Sequence, residues 1–148
     1  MPATILADSN VFVAALTVGH PHEGPSRDLL NLSVDRIAVA THSLSEIYQH
    51  LTKRKPSLFA LAPTTAMGAI DTLLSFCTQV SLTPDESLSA IRGFATRGGT
   101  GPRLYDWLIG EAAIAANIRT IVTWNTRDFL DLFPKLDIVD PIAYAARP

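Results

Sequence analysis

Four carboxylates stand where an apolar run ends or a helix opens: Asp8, Glu46, Asp106 and Asp128. Asp8 follows the apolar Thr4-Ile5-Leu6-Ala7 directly. The other three lie at or near the start of helical segments. Acids scattered in this way can converge on one edge of an α/β sheet. Once there they repel one another unless a cation lies between them. The pattern therefore points to a divalent-metal site.

The segments that must position these acids alternate between strand and helix. Short apolar runs at Thr4–Ala7, Arg36–Ala40, Gln79–Leu82, Thr120–Thr123 and Asp137–Val139 are expected strands. Val11–Val18 is an expected helix with Asp8, Ser9 or Asn10 as its cap. Residues 19–25 have loop composition, and a helix with Leu29, Leu30 and Leu32 on its apolar side follows. Ser43–Lys53 carries Leu44, Ile47, Tyr48 and Leu51 at helical spacing, and Lys53-Arg54-Lys55-Pro56 closes it. Further helices are expected over Pro63–Phe76, Pro84–Ala95, Tyr105–Ala116 and Asn125–Leu130. Thr83 and Glu86 form a capping box before the second of these. Alternation of this kind predicts a mainly parallel sheet covered on both faces, with its sites beyond the carboxyl ends of the strands. Asp8, Glu46 and Asp128 map to that edge, and Asp106 reaches it if its helix begins there.

The chain has 148 residues, 47% hydrophobic and 18% charged, which fits a single packed domain over residues 1–148. A formal net charge of −2 argues against a domain that coats nucleic acid by bulk positive charge. It leaves room for an enzyme with a local basic rim. The single cysteine, Cys77, rules out an internal disulfide framework and suits a reducing compartment such as the cytoplasm. No apolar stretch is long enough to span a bilayer, and no basic leader precedes one, so neither membrane anchor nor signal peptide is expected.

The acids sit in short motifs: Ile5-Leu6-Ala7-Asp8-Ser9-Asn10-Val11, Ser45-Glu46-Ile47, Tyr105-Asp106-Trp107-Leu108-Ile109, and Thr123-Trp124-Asn125-Thr126-Arg127-Asp128-Phe129. In this order, across nearly the whole chain, they resemble the PIN-domain nucleases, and within them the compact VapC-type toxins of prokaryotic toxin–antitoxin pairs. The resemblance implies a three-layer α/β/α fold and a metal-dependent endoribonuclease. In that family the acids hold one or two Mg²⁺ or Mn²⁺ ions, and metal-activated water cleaves the RNA phosphodiester. By position, Asp8, Glu46 and Asp106 would be the main ligands and Asp128 would complete the set. Ser9 would hydrogen-bond an acid, and Asn125 would orient Asp128 or a water. A cognate antitoxin and a homodimer are implied as partners. Two departures touch the local packing: Trp107 stands where related chains often carry a small residue, and Glu111 lies five positions after Asp106.

Each acid also has a structural explanation. Ser43 with Glu46, and Asn125 with Asp128, have capping-box spacing. Asp8 suits an N-cap, and Asp106 suits the helix dipole. Four separate caps do not explain the order in which the acids fall. The histidines carry less. His20 and His22 lie in a loop, while His42 and His50 are eight apart and lack the i, i+4 spacing of zinc enzymes. Arg92, Arg97 and Arg103 flank the glycine-rich stretch 96–102 before Asp106 and are the candidate phosphate contacts of a basic rim. Other functions stay open on the residues: a housekeeping RNA-processing nuclease, a phosphotransfer domain with Asp8 as nucleophile, or a domain that binds a partner without chemistry.

Overall fold

The computed structural model describes residues 2–54 and 60–148. The expected helix stop at Lys55-Pro56 lies outside them. Five short strands form one sheet: β1 (Ile5–Ala7), β2 (Ile37–Ala40), β3 (Cys77–Val80), β4 (Thr120–Val122) and β5 (Asp137–Val139). All pairings are parallel, in the order β3-β2-β1-β4-β5. Eight helices join or flank them among the described residues. They are α1 (Ser9–Leu16), α2 (Glu23–Leu32), α3 (Thr41–Thr52), α4 (Pro63–Leu74), α5 (Pro84–Thr96), α6 (Arg103–Ala115), α7 (Thr126–Leu132) and α8 (Pro141–Ala145).

Strand side chains alternate between faces, and this alternation builds two cores. Ile5, Ala7, Ile37, Val39 and Val122 pack with residues of α1–α4 on one face. Leu6, Ala38, Ala40 and Ile121 pack with α5, α6 and α7 on the other. The result is the expected three-layer α/β/α arrangement. The chain changes face after β3, so β1 and β4 are neighbours in the sheet whose following helices diverge to opposite layers. A crevice opens at such a switch point, beyond the carboxyl ends of the two strands. The β1–β4 register pairs Ala7 with Val122, which sets Asp8 and Thr123 side by side as the chains leave the sheet.

Several local expectations change. Loop composition over 19–25 gives way to helix from Glu23, because Glu23 and Pro25 suit a first helical turn. Leu29 and Leu30 are buried as expected, but Leu32 is 57% exposed at the end of α2. The third strand starts at Cys77 rather than Gln79, and Cys77 is buried, with its thiol pushed up to about 12 by desolvation. The short terminal α8 has no apolar periodicity to announce it, although Asp140 caps it by accepting from Ala143 N–H at 2.8 Å. The capping box of α5 forms in both directions: Thr83 Oγ1 accepts from Glu86 N–H, and Glu86 accepts from Thr83 N–H at 2.8 Å. Among the described residues no helix is long and apolar enough to cross a membrane.

Candidate active site

Asp8 ends β1 and caps α1. One carboxylate oxygen accepts from Ser9 N–H at 2.7 Å, and the other accepts from the Thr123 hydroxyl at 2.9 Å. The Ser9 hydroxyl lies farther off, 3.4 Å from Asp8 Oδ1, too long for a strong bond. Thr123 is fully buried and forms a hub. Its Oγ1 also accepts from Asn10 Nδ2 at 3.2 Å and from Asn125 N–H at 2.9 Å. Asn10 Oδ1 in turn accepts from Trp124 N–H at 3.2 Å. The first strand and the fourth are thereby tied together at the point where they release their helices. Sequence reading offers Asn10 only as a candidate helix cap and gives Thr123 no role. The strand-end hydroxyl is visible there, but its partner acid is 115 positions away.

Glu46 projects from the second turn of α3. The expected Ser43 box does not form: Ala40 occupies the cap position without a side-chain bond, and Ser43 Oγ is buried without a hydrogen-bond partner among the described residues. Glu46 Oε1 is likewise buried without one, its contact with His42 Nε2 standing at 3.7 Å. Asn125 does precede α7, but its side chain makes no cap bond either. Asp128 sits exposed in the first turn of that helix. The two capping-box explanations are thus not realised, whereas Asp8 does serve as a cap.

Asp106 lies in the first turn of α6, half-buried. Trp107 explains how it is held. The indole is buried, donates to Ala90 O at 2.8 Å and stacks on Phe133 at 4.8 Å. With its neighbour plugged into the core, Asp106 is turned toward the carboxyl edge of the sheet.

The acids sense one another. Burial pushes the Asp8 carboxyl up to about 6, against the pull of the Thr123 and Ser9 hydrogen bonds, and the charge of Glu46 adds to the rise. Burial also lifts Asp106 to about 6, reinforced by Asp8 and Asp128 and opposed by Arg103. Burial raises Glu46 too, with His42 opposing and Asp106 adding. Burial is the main cause in each case, and the like charge of a neighbouring acid adds to it. A cavity of about 870 Å³ opens at these groups, lined by Asp8, Glu46, Asp106 and Asn125 and extending to His22 and Trp124.

The oxygen-only donor set, with one orphaned buried carboxylate oxygen, suits a hard divalent cation. Among the described residues, no three His, Cys, Asp or Glu side chains are drawn close enough to form a finished cage.

The three arginines are placed differently from one another. Arg103 donates to Asp131 Oδ2 at 2.7 Å and to Asp128 O at 3.2 Å, and its charge reaches Asp106. Arg97 lies over the Trp107 ring, 4.8 Å from its centroid, and donates to Leu132 O at 2.9 Å. Arg92 is exposed on α5. Arg97 and Arg103 line a separate polar hollow of about 220 Å³, not the cavity of the acids. Glu111 is half-buried, with Arg97 rather than another acid as its charged neighbour.

Comparison with known proteins agrees with this architecture. Solved structures share the fold, three of which show the extent of the match. DNA-bound VapBC from Salmonella typhimurium matches with a TM-score of 0.66 at 21% identity, over 95% of this chain and 99% of that one. VapBC2 from Rickettsia felis, bound to a promoter DNA fragment, matches with a TM-score of 0.64 at 22% identity, over 90% and 96%. VapC20 from Mycobacterium tuberculosis, described as a sarcin–ricin loop cleaving toxin, matches with a TM-score of 0.65 at 16% identity, over 79% and 86%. No curated protein matches the sequence. The model of the PIN domain family matches residues 5–134, a span that contains all four acids and every strand but the last. The chain belongs to the PIN-domain family.

Proposed function

We propose that this protein is a divalent-metal-dependent endoribonuclease of the VapC type, the toxin of a toxin–antitoxin pair. The observation that carries the reading is that Asp8, Glu46 and Asp106 line one cavity at the switch point of a PIN domain, with the charge of Asp128 reaching Asp106. PIN-domain nucleases are hydrolases that act on nucleic acids. The likeness to VapBC complexes and to a VapC described as a sarcin–ricin loop cleaving toxin supports an RNA substrate and an antitoxin partner, and we extend it to a homodimer.

Asp8, Glu46 and Asp106 would hold Mg²⁺ or Mn²⁺, with Asp128 completing the set directly or through water. When bound, the ion supplies charge neutralisation at the phosphate and a water acidified for attack. The chain's own groups prepare the site. Thr123 and the Ser9 N–H occupy one lone pair on each Asp8 oxygen and fix the carboxylate plane, leaving the remaining lone pairs for a ligand. The Trp107 plug prevents α6 from rotating Asp106 out of the site. Arg103, whose charge reaches both Asp106 and Asp128, is the arginine best placed to meet a substrate phosphate. Arg92 and Arg97 would contribute farther along the strand.

The test is RNA cleavage by purified protein in Mg²⁺. Asp8→Asn and Asp106→Asn should each lower the rate by at least about 100-fold, the upper range found when a metal site's supporting groups are lost. Undiminished cleavage by both variants would sink the reading. Expression of the native chain should arrest growth, and co-expression of a cognate antitoxin should relieve it. Cleavage without arrest would instead favour an RNA-processing role.

A further inference from the structure

The cavity that begins at the carboxylates ends on a wall that the metal chemistry does not use. His22 and Trp124 stack there face to face, with ring centroids 3.8 Å apart and planes 10° from parallel. Trp124 is fixed at both ends: its backbone N–H donates to Asn10 Oδ1 at 3.2 Å, and its indole N–H donates to Ser26 Oγ at 2.9 Å. Ser26 is fully buried, so that anchor cannot drift. Asn10, which holds the Trp124 backbone, also donates to Thr123 Oγ1, and the Thr123 hydroxyl donates to Asp8. The aromatic wall and the first carboxylate therefore belong to one hydrogen-bonded frame. His22 lies on the solvent side of the pair and is exposed, while Trp124 is half-buried.

We propose that the His22–Trp124 stack is a nucleobase subsite, which seats an unpaired base of the RNA while the adjoining phosphodiester lies at Asp8 and Asp106. The proposal rests on the nuclease reading and adds to it the residues that position the substrate. Every base offers a π face, so an aromatic platform takes a base whatever its identity, but only one released from pairing. A platform already ordered by two hydrogen bonds loses little side-chain entropy on binding. The cavity volume of about 870 Å³ lies within the range of roughly 300–1,000 Å³ typical of small-ligand sites, which leaves room for a base together with its sugar. The acidic end of the cavity repels a phosphate until a cation neutralises it, so a sequence-tolerant grip on the base supplies attraction that the charges do not.

Two measurements on short unpaired RNA test it. In an Asp106→Asn background with Mg²⁺, binding should quench the fluorescence of Trp124. The quench should vanish in Trp124→Phe, since the other indole, Trp107, is buried in the core. Trp124→Leu and His22→Ala should each weaken binding roughly 10-fold or more, as expected for loss of a base-stacking contact. Trp124→Phe and His22→Phe, which keep a ring, should stay within about threefold of the parent. In the otherwise native chain the same losses should appear in KM, with kcat little changed. His22→Ala lies in an exposed turn and keeps the test open if Trp124→Leu does not fold. Unchanged RNA binding and KM in His22→Ala and Trp124→Leu would overturn the subsite while leaving the nuclease intact. The same result with antitoxin binding lost would assign the wall to protein recognition and equally overturn it. Failure of the native chain to cut RNA would strike the nuclease reading instead.

Discussion

At the scale of single residues, the site is a contest between burial and charge. Asp8 is only 4% exposed and takes two hydrogen bonds, yet its carboxyl is still pushed up to about 6 because burial outweighs them. A carboxyl raised in the folded state binds its proton more tightly there than in the unfolded chain. Its contribution to stability is therefore intact below the unfolded value near 3.8, and it is lost as pH rises toward about 6. At neutral pH the metal-free protein should bear a penalty of about 2–3 kcal/mol from Asp8. Replacing it by Asn keeps a capping oxygen but spoils the bond from Thr123, whose hydroxyl already accepts from Asn10 and Asn125. Asp8→Asn should then raise metal-free stability at pH 8 by about 1–2 kcal/mol and bring little gain at pH 4. Thermal unfolding in chelator at the two pH values measures this, and a destabilised variant at pH 8 would contradict it. Thr123→Val should act the other way, removing the donor to Asp8 and lowering cleavage about 10–100-fold with the fold retained.

At the scale of elements, the helices carry acids because their neighbours lock them in place. The α6 helix runs close to Phe133, and Gly110 is what permits it: a Cβ at that position would overlap the Phe133 ring. Phe133 also stacks on Trp107, the residue next to Asp106. Gly110→Ala should therefore destabilise the fold by about 1–3 kcal/mol, as overpacking does, and lower activity together with stability by tilting the first turn of α6. Chemical denaturation and a cleavage assay on the same sample test the pair. Wild-type stability with reduced cleavage would show that α6 moves without strain. The capping box of α5 was legible from Thr83 and Glu86 alone because both bonds are local. The two other boxes were spelled with the same spacing and did not form. The α3 helix starts at Thr41, which puts Ser43 inside its first turn rather than at the cap, and the Asn125 backbone N–H is taken by Thr123 instead. Local spacing proposes a cap, and tertiary packing decides whether the residue is free to make it.

At the scale of the whole molecule, the parallel sheet sets where everything meets. Asp8 and Glu46 follow strands, Asp106 opens a helix that approaches from the other layer, and the three line one cavity, while Asp128, exposed at the start of α7, stands outside its lining. A cation that bridges them would relieve repulsion present only in the folded chain, so binding would add to stability by mass action. Mg²⁺ or Mn²⁺ at millimolar concentration should raise the Tm at pH 8 by several degrees. The effect should shrink at pH 5, where protons compete for the same oxygens. A Tm indifferent to both ions at pH 8 would argue against a metal centre built from these acids.

The sequence by itself determined the alternation of strand and helix, the parallel sheet and the approach of Asp8, Glu46 and Asp106 to one cavity. Those follow from hydrophobic periodicity, from residues that end strands, and from an ordered motif set that a reader can recognise. The course of α2, the exposure of Leu32, the terminal α8 and the separate hollow of Arg97 and Arg103 were decided elsewhere. So was the Thr123 hub that joins Asp8 to Asn10 and, through Asn10, to Trp124. The physical reason is reach. A cap or a helical stripe is written within a few residues, whereas a hydroxyl's partner across 115 positions exists only once β1 and β4 lie side by side.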